Sequence, residues 1–169
     1  WSADISAQLK DVCKLLLKDG DWQSAVGKIC AAQFTGARMT LKERPVSAVR
    51  KDAGSIDQPG DVIEFPLFSQ VIAATVQRAG LVQGLQRAKT KVVGITMKPD
   101  ASLSCEILFH LAGKEGQQTR DLVGQWRSLW VIESGAPRLL SIEGEGNLTR
   151  SSMGGFSDVT EAVLGSTPF

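Results

Sequence analysis

The stretch TRDLVGQWRSLWVIESGAPRLLSI, residues 119–142, decides the fold. Within it, the turn-forming residues Ser134-Gly135-Ala136 separate two runs of strand-forming residues, which predicts an antiparallel hairpin. Earlier runs with the same period of two are joined by short links rich in Gly, Pro and Asp, so an antiparallel meander is expected. The predicted strands are residues 90–98, 103–113, 119–133 and 137–145.

The first half of the chain shows helical periodicity instead. Apolar residues recur at helical spacing over residues 4–18 and 22–30, and a link of three residues predicts a helical hairpin. A third helix is expected over residues 66–80, and residues 81–88 read equally as a helical turn or a loop. Helices first and strands last predict an α+β fold, with the helices packed on one face of an antiparallel sheet. The predicted short strands before the third helix are residues 39–41, 46–49 and 61–65.

Composition limits the classes of function. The chain has 169 residues, 43% of them hydrophobic and 22% charged, with a net charge of +1. A chain of this length can bury a core without metals or disulfides, and it has no apolar run near the roughly 20 residues of a membrane span. The balanced charge argues against a nucleic-acid partner. We read the basic cluster Arg87, Lys89 and Lys91 as protection of a sheet edge.

Residues 124–142, GQWRSLWVIESGAPRLLSI, carry a resemblance to a known family. A Trp-bearing strand, a tight Gly turn and a short apolar strand are similar to the final strand pair of the nuclear transport factor 2-like superfamily. Ketosteroid isomerases, scytalone dehydratases and polyketide-cyclase-like proteins belong to it. The resemblance implies a cone-shaped domain over residues 1–145, with a pocket between the concave sheet face and the helices. It also implies a homodimer through the sheet and a small apolar ligand.

The C-terminal tail carries a second resemblance. Residues 146–169 are rich in Gly, Ser and Thr and read as a linker. Within them, Phe156 to Gly165, FSDVTEAVLG, resembles the opening of FG-GAP-type β-propeller proteins, which implies a covalently linked propeller and an extracytoplasmic or secreted location; a cytoplasmic one stays open. The chain begins at Trp1 without Met, so we expect a processed or excised piece of a longer protein.

Few residues are suited to catalysis. Isomerases of the resembled superfamily use a carboxylate base with donors that include Tyr, and this chain has no Tyr. Its dehydratases use His with Asp, and the lone His here is His110. Strand alternation places His110 and Glu106 opposite the apolar face of their strand, and therefore on the convex side of the sheet. We expect Arg127 or Gln125 on the next strand to pair with them.

Three readings of the function follow. The first is a non-catalytic small-ligand-binding or protein-interaction (dimerisation) domain, without cofactor or metal. The second is a small cofactor-independent enzyme of the isomerase, dehydratase or cyclase type, which would use His110 and Glu106 if the sheet faces were reversed, or Asp61 or Glu64. A purely structural spacer is a third reading. The expected pocket or interface residues are Trp126, Trp130, Phe68 and Phe109.

The cysteines give a weak signal. Cys13, Cys30 and Cys105 are widely spaced and form no CxxC pair, so a zinc site is not expected. A disulfide between Cys13 and Cys30, on neighbouring predicted helices, stays open for an oxidising compartment.

Overall fold

A computed structural model describes residues 1–45 and 60–152. In chain order the elements are α1 (Ser2–Leu17), α2 (Trp22–Ile29), β1 (Gly36–Pro45), β2 (Asp61–Phe65), α3 (Phe68–Arg78), β3 (Leu85–Met97), β4 (Leu103–Glu115), β5 (Gln118–Glu133) and β6 (Ala136–Ser152).

The strands form one six-stranded sheet in the order β2-β1-β6-β5-β4-β3. The predicted meander is confirmed, because β3, β4, β5 and β6 pair antiparallel in sequence order. One pairing lies outside the predicted antiparallel pattern, since β1 runs parallel to β6 over Gly36–Pro45. The partner of β1 lies about 100 residues further along the chain, so local turn signals carry no information about this pairing.

The helices cover one face of the sheet, as the α+β pattern predicts. Ile5, Leu9 and Val12 of α1 are buried, which is the apolar stripe expected from the sequence. Asp21 caps α2 by accepting a hydrogen bond from the backbone N–H of Ser24 at 3.2 Å. None of the helices in the described part of the chain is long and apolar enough to cross a membrane.

The last strand is longer than predicted. The sequence pattern ended it at residue 145, whereas β6 continues to Ser152 and pairs with β1 and β5 along its extension. Gly146, predicted to begin the linker, lies within the sheet beneath a large aromatic ring, as does Gly144 in the predicted strand. Leu148 is buried, so part of the predicted tail belongs to the core. The division into a domain and a following domain stays a prediction, because residues 153–169 lie outside the described ranges.

Two further boundaries differ from the predictions. β3 begins at Leu85 rather than at residue 90, so most of the ambiguous segment 81–88 is a turn followed by strand. The short strand predicted at 39–41 lies within the ten-residue β1. The predicted strand at 46–49 lies outside the described residues.

Candidate functional site

Three aromatic residues meet between the helices and the sheet, and we call Phe68, Phe109 and Trp126 the aromatic cluster. Phe109 stacks on Trp126 with ring centroids 4.5 Å apart. Phe68 meets Trp126 edge to face, with centroids 5.6 Å apart. Strand alternation directs Phe109 of β4 and Trp126 of β5 to the helical side, and α3 brings Phe68 over them. Three of the four predicted pocket residues therefore come together.

The aromatic cluster lies directly over glycines of the neighbouring strands. A Cβ atom at Gly124 would lie 2.5 Å from Phe109 Cζ, and one at Gly146 would lie 3.2 Å from the same atom. A Cβ atom at Gly144 would overlap the ring of Trp126. These glycines let the rings approach the backbone of the sheet, which is a recognised use of glycine within strands.

The space left inside the cone is small. A cavity of about 40 Å³ remains beside the aromatic cluster. Sites for small molecules enclose about 300–1,000 Å³, so this cavity has room for little more than one or two waters. Its lining is almost wholly apolar and comprises Leu9, Val12, Cys13, Leu16, Phe68, Val71, Ile72, Thr75, Lys89, Thr90, Phe109, Leu111 and Trp126.

The cone interior offers little acid–base chemistry. No carboxyl or imidazole group is among the described residues that line the cavity. The hydroxyl of Thr75 is already engaged, because it donates to the carbonyl of Val71 at 2.7 Å. Cys13 Sγ lies 4.0 Å from Thr90 Oγ1, the other polar contact in the lining. General acid–base catalysis needs a titratable group within hydrogen-bond reach of the substrate.

The three cysteines are free thiols, so the bridge between Cys13 and Cys30 is absent here. Burial raises the pKa of Cys30 and of Cys105 to about 11. Burial also raises the pKa of Cys13, opposed by its hydrogen bond to Thr90. A thiol held protonated is a poor nucleophile at neutral pH, so these side chains act as small apolar groups.

His110 and Glu106 lie on the sheet face that points away from the helices, which we call the open face. Their inward neighbours, such as Ile107 and Phe109, are buried, so the predicted alternation is confirmed. The prediction that His110 pairs with Arg127 or Gln125 is wrong. Its Nε2 contacts Oδ1 of Asp121, which lies diagonally opposite His110 on β5. Asp121 was not a predicted partner; it comes within reach because it lies two positions along β5 from Val123, the residue directly opposite His110.

The other predicted candidates lie away from the cavity. Asp61 forms an exposed ion pair with Arg78 of α3, and Glu64 lies on the open face. Trp130 is fully buried at a different level of β5, where its indole Nε1 donates to Ser128 Oγ at 2.8 Å. No group of three or more His, Cys, Asp and Glu side chains that could hold a metal ion occurs within residues 1–45 and 60–152.

A row of alternating charge crosses the open face. Five exposed charged side chains, one on each strand from β2 to β4 in sheet order, are successive cross-strand partners, and the sign of the charge alternates along the row. We call this row the charge ladder; in sheet order it is Glu64, Arg38, Glu143, Arg127 and Glu106. Only Arg127 was predicted as a neighbour of Glu106. The position of Arg127 opposite Glu143 follows from the register of the β5–β6 hairpin, and both pairings of Arg38 depend on the non-local position of β1.

The charge ladder borders two shallow grooves. They measure about 870 Å³ and 530 Å³ and share Arg38, Arg127 and Glu143 as lining residues. Among the described residues, no two charges of the ladder approach within ion-pair distance, although they are opposed in register. Their charged ends therefore stay available to groups outside the sheet.

Comparison with known proteins identifies the fold and nothing finer. No family model matches the sequence, and no curated protein matches it either. A protein described as the beta subunit of a proposed aromatic-ring-hydroxylating dioxygenase, from Novosphingobium aromaticivorans, aligns with a TM-score of 0.56 and 14% identity, over 90% of this chain and 92% of its own. A hexachlorocyclohexane dehydrochlorinase, LinA type 2, aligns with a TM-score of 0.51 and 12% identity, over 89% and 88%.

A conserved protein from Planctomyces limnophilus aligns with a TM-score of 0.52 and 12% identity, over 88% of this chain and 96% of its own. At such identities the similarity concerns the fold alone. With the order of helices and strands, it confirms the predicted nuclear transport factor 2-like cone fold. Proteins with this fold include enzymes as well as subunits of larger assemblies. The function therefore depends on the particular residues of each chain and not on the fold.

Proposed function

We propose that this chain is a non-catalytic protein-interaction domain that forms a homodimer through the open face of its sheet. The observation that carries the proposal is the contrast between the two faces. The helical side is filled by the domain's own side chains and leaves about 40 Å³, whereas the open face is an uncovered six-stranded surface in the described residues. A surface that presents complementary groups to a partner is suited to assembly.

The composition of the open face supports this proposal. Leu108 and Val123 are apolar yet 43% and 51% exposed, and they occupy diagonal positions near its centre. Polar and charged side chains surround them, including the charge ladder. An apolar centre with a polar surround is the usual anatomy of a protein interface. The dioxygenase neighbour is named as a beta subunit, which is consistent with this fold acting within an assembly.

The ligand-binding alternative has less support. A cavity of about 40 Å³ cannot hold even a single aromatic ring without rearrangement of its lining. The enzymatic alternative also has less support, since the acid–base candidates His110 and Glu106 lie on the open face, outside the apolar interior. We retain neither as a second function.

The test is the oligomeric state of the 169-residue chain, measured by sedimentation equilibrium. We expect a dimer that Val123→Arg dissociates, because a charge at the apolar centre would be desolvated on association. The matched control is Leu67→Arg: Leu67 is 55% exposed at the start of α3, on the helical side, and its replacement should leave the dimer intact. Circular dichroism should show that both variants remain folded. A wild-type monomer at 100 μM would refute the proposal.

The parent context forms a separate part of the proposal. We propose an extracytoplasmic domain followed by a β-propeller, supported by the resemblance of residues 156–165 to FG-GAP openings. These residues lie outside the described ranges. The reading frame downstream of Phe169 tests the proposal, which fails if no FG-GAP repeats follow.

A further inference from the structure

The charge ladder restricts how two open faces can meet. Opposite signs alternate from strand to strand, so the row repeats every two strands. Neighbouring strands lie about 4.8 Å apart, and a displacement by one strand exchanges the signs. A ladder of this kind is complementary to a second copy of itself in some registers and repulsive in others.

A symmetric face-to-face dimer has its two-fold axis in the plane between the two sheets, because the same surface serves both copies. If that axis ran along the ladder, every charged residue would face the same residue of the second copy, and therefore a charge of like sign. If it ran parallel to the strands and over the middle of a strand, positions two strands apart would face each other, again with like sign. Of the axes that run along the ladder or parallel to the strands, only one that lies parallel to the strands and between two of them brings opposite signs together.

The shape of the sheet chooses among the remaining axes. The strand order β2-β1-β6-β5-β4-β3 places the midline between β6 and β5, so an axis there gives the greatest overlap of the two faces. On this axis Arg127 faces Glu143 of the second copy, and Arg38 faces Glu106 of the second copy. Gln125 faces Glu145 of the second copy, to which its amide can donate. Charge and shape thus favour the same arrangement.

We propose that the charge ladder sets the register of the homodimer, with the two-fold axis parallel to the strands and between β5 and β6. This inference rests on the dimer proposed above and specifies which residues of the two copies meet. Within residues 1–45 and 60–152 the five charges of the ladder have no ion-pair partner, so contact with the second copy breaks no ion pair in that part of the chain.

Single charge reversals and their mixtures test the axis. Arg127→Glu and Glu143→Arg, each alone, should weaken the homodimer about 100-fold or more, because each places like charges opposite one another twice in a symmetric dimer. An equimolar mixture of the two should restore a heterodimer to within about 10-fold of the wild-type affinity. Dissociation constants come from sedimentation of fluorescently labelled protein at 50 mM salt, where screening is weak.

A mismatched mixture is the control. Arg127→Glu mixed with Glu106→Arg should remain dissociated. On this axis the carboxylate introduced at position 127 would face Glu143, and the guanidinium introduced at position 106 would face Arg38. The variant Lys10→Glu/Lys28→Glu changes exposed charges on α1 and α2 and should leave the affinity unchanged within about threefold.

The outcomes separate the two proposals. If the wild type is dimeric and Val123→Arg dissociates it, but the ladder variants dimerise as tightly as the wild type, the register is wrong and the interaction domain stands. If Arg127→Glu is rescued by Glu106→Arg and not by Glu143→Arg, the proposed axis is wrong. If the wild type is monomeric at 100 μM, both proposals fall.

Discussion

Replacing Phe109 with Ala tests whether the cone is a filled core. Phe109 is 2% exposed, stacks on Trp126 and covers the backbone at Gly124 and Gly146. Removing its ring would merge the existing 40 Å³ space with a void the size of a benzene ring. The same substitution also removes one partner of the stacked pair.

The expected loss of stability is about 4 kcal/mol. A buried Phe→Ala replacement costs about 3–5 kcal/mol through lost transfer energy and cavity formation. The lost aromatic stacking, about 0.5–1.5 kcal/mol, is part of the upper end of that range. For a domain of this size each kcal/mol lowers Tm by about 2–4 °C, so Tm should fall by about 8–16 °C. Such a loss is a large fraction of the roughly 5–15 kcal/mol typical of a native domain.

Urea denaturation and thermal scans of both the variant and a matched control measure this loss. Leu108→Ala is the control, since Leu108 precedes Phe109 on β4 and points to the open face. This substitution should lower the free energy of unfolding by less than about 1 kcal/mol, measured at a protein concentration low enough for the chain to be monomeric. Toluene should raise the Tm of Phe109→Ala and leave the wild type unchanged, because only the variant has a cavity large enough for it. Equal losses for the two variants, or toluene binding by the wild type, would contradict a filled cone.

Three further outcomes are expected. Ser128→Ala should cost about 1–3 kcal/mol in urea unfolding, because it leaves the buried indole N–H of Trp130 without its acceptor; an unchanged midpoint would show that this hydrogen bond is dispensable. Gly144→Ala should cost about 1–3 kcal/mol by displacing the indole of the aromatic cluster, whereas Gly27→Ala, in open space on α2, should stabilise by about 0.5–1 kcal/mol; the reverse order would contradict the close approach. Burial raises the pKa of Cys105 to about 11, so the native thiol should resist maleimide at pH 8; its share of the stability is complete below pH 9 and falls as the pH rises toward 11, a decline that Cys105→Ala should remove.

The helices and the meander were predictable because their signals are local. The apolar stripe of α1 and the alternation of β4 appear in consecutive residues, and the structure confirms both. The same alternation placed His110 on the open face without knowledge of the strand order. Short links between successive strands then determined the antiparallel neighbours.

The end of β6 was mispredicted because glycine occurs both in linkers and, beneath large aromatic rings, within strands. Gly146 was read as the first residue of a linker, which is the commoner role of glycine in a Gly- and Ser-rich stretch. Its actual role depends on Phe109 of β4, whose ring lies close to both Gly124 of β5 and Gly146 of β6. Large aromatic residues on β4 and β5 lie in register with glycines on β6. This pattern could have indicated the packing once the register of the strands was known.

The contents of the cone could be anticipated by residue type but not by volume. Phe68, Phe109 and Trp126 were expected near a pocket, and they do meet there. Whether such rings line a cavity or fill it depends on the positions of the helices over the sheet to within a fraction of an ångström. The periodicity of apolar residues in the sequence carries no information about those positions.

The placement of β1 explains why the candidate surface was the hardest feature to foresee. β1 inserts between β2 and β6 through pairings that span much of the chain, and it brings Arg38 beside Glu64 and Glu143. Without β1 the row would be Glu143, Arg127 and Glu106, which is symmetric about Arg127 and cannot be centred on an axis between β5 and β6. Adding β1 and β2 extends the alternation past that axis and gives Glu106 an opposing cation in the second copy. The strand that pairs in parallel with β6 is therefore the strand that makes the open face complementary to itself.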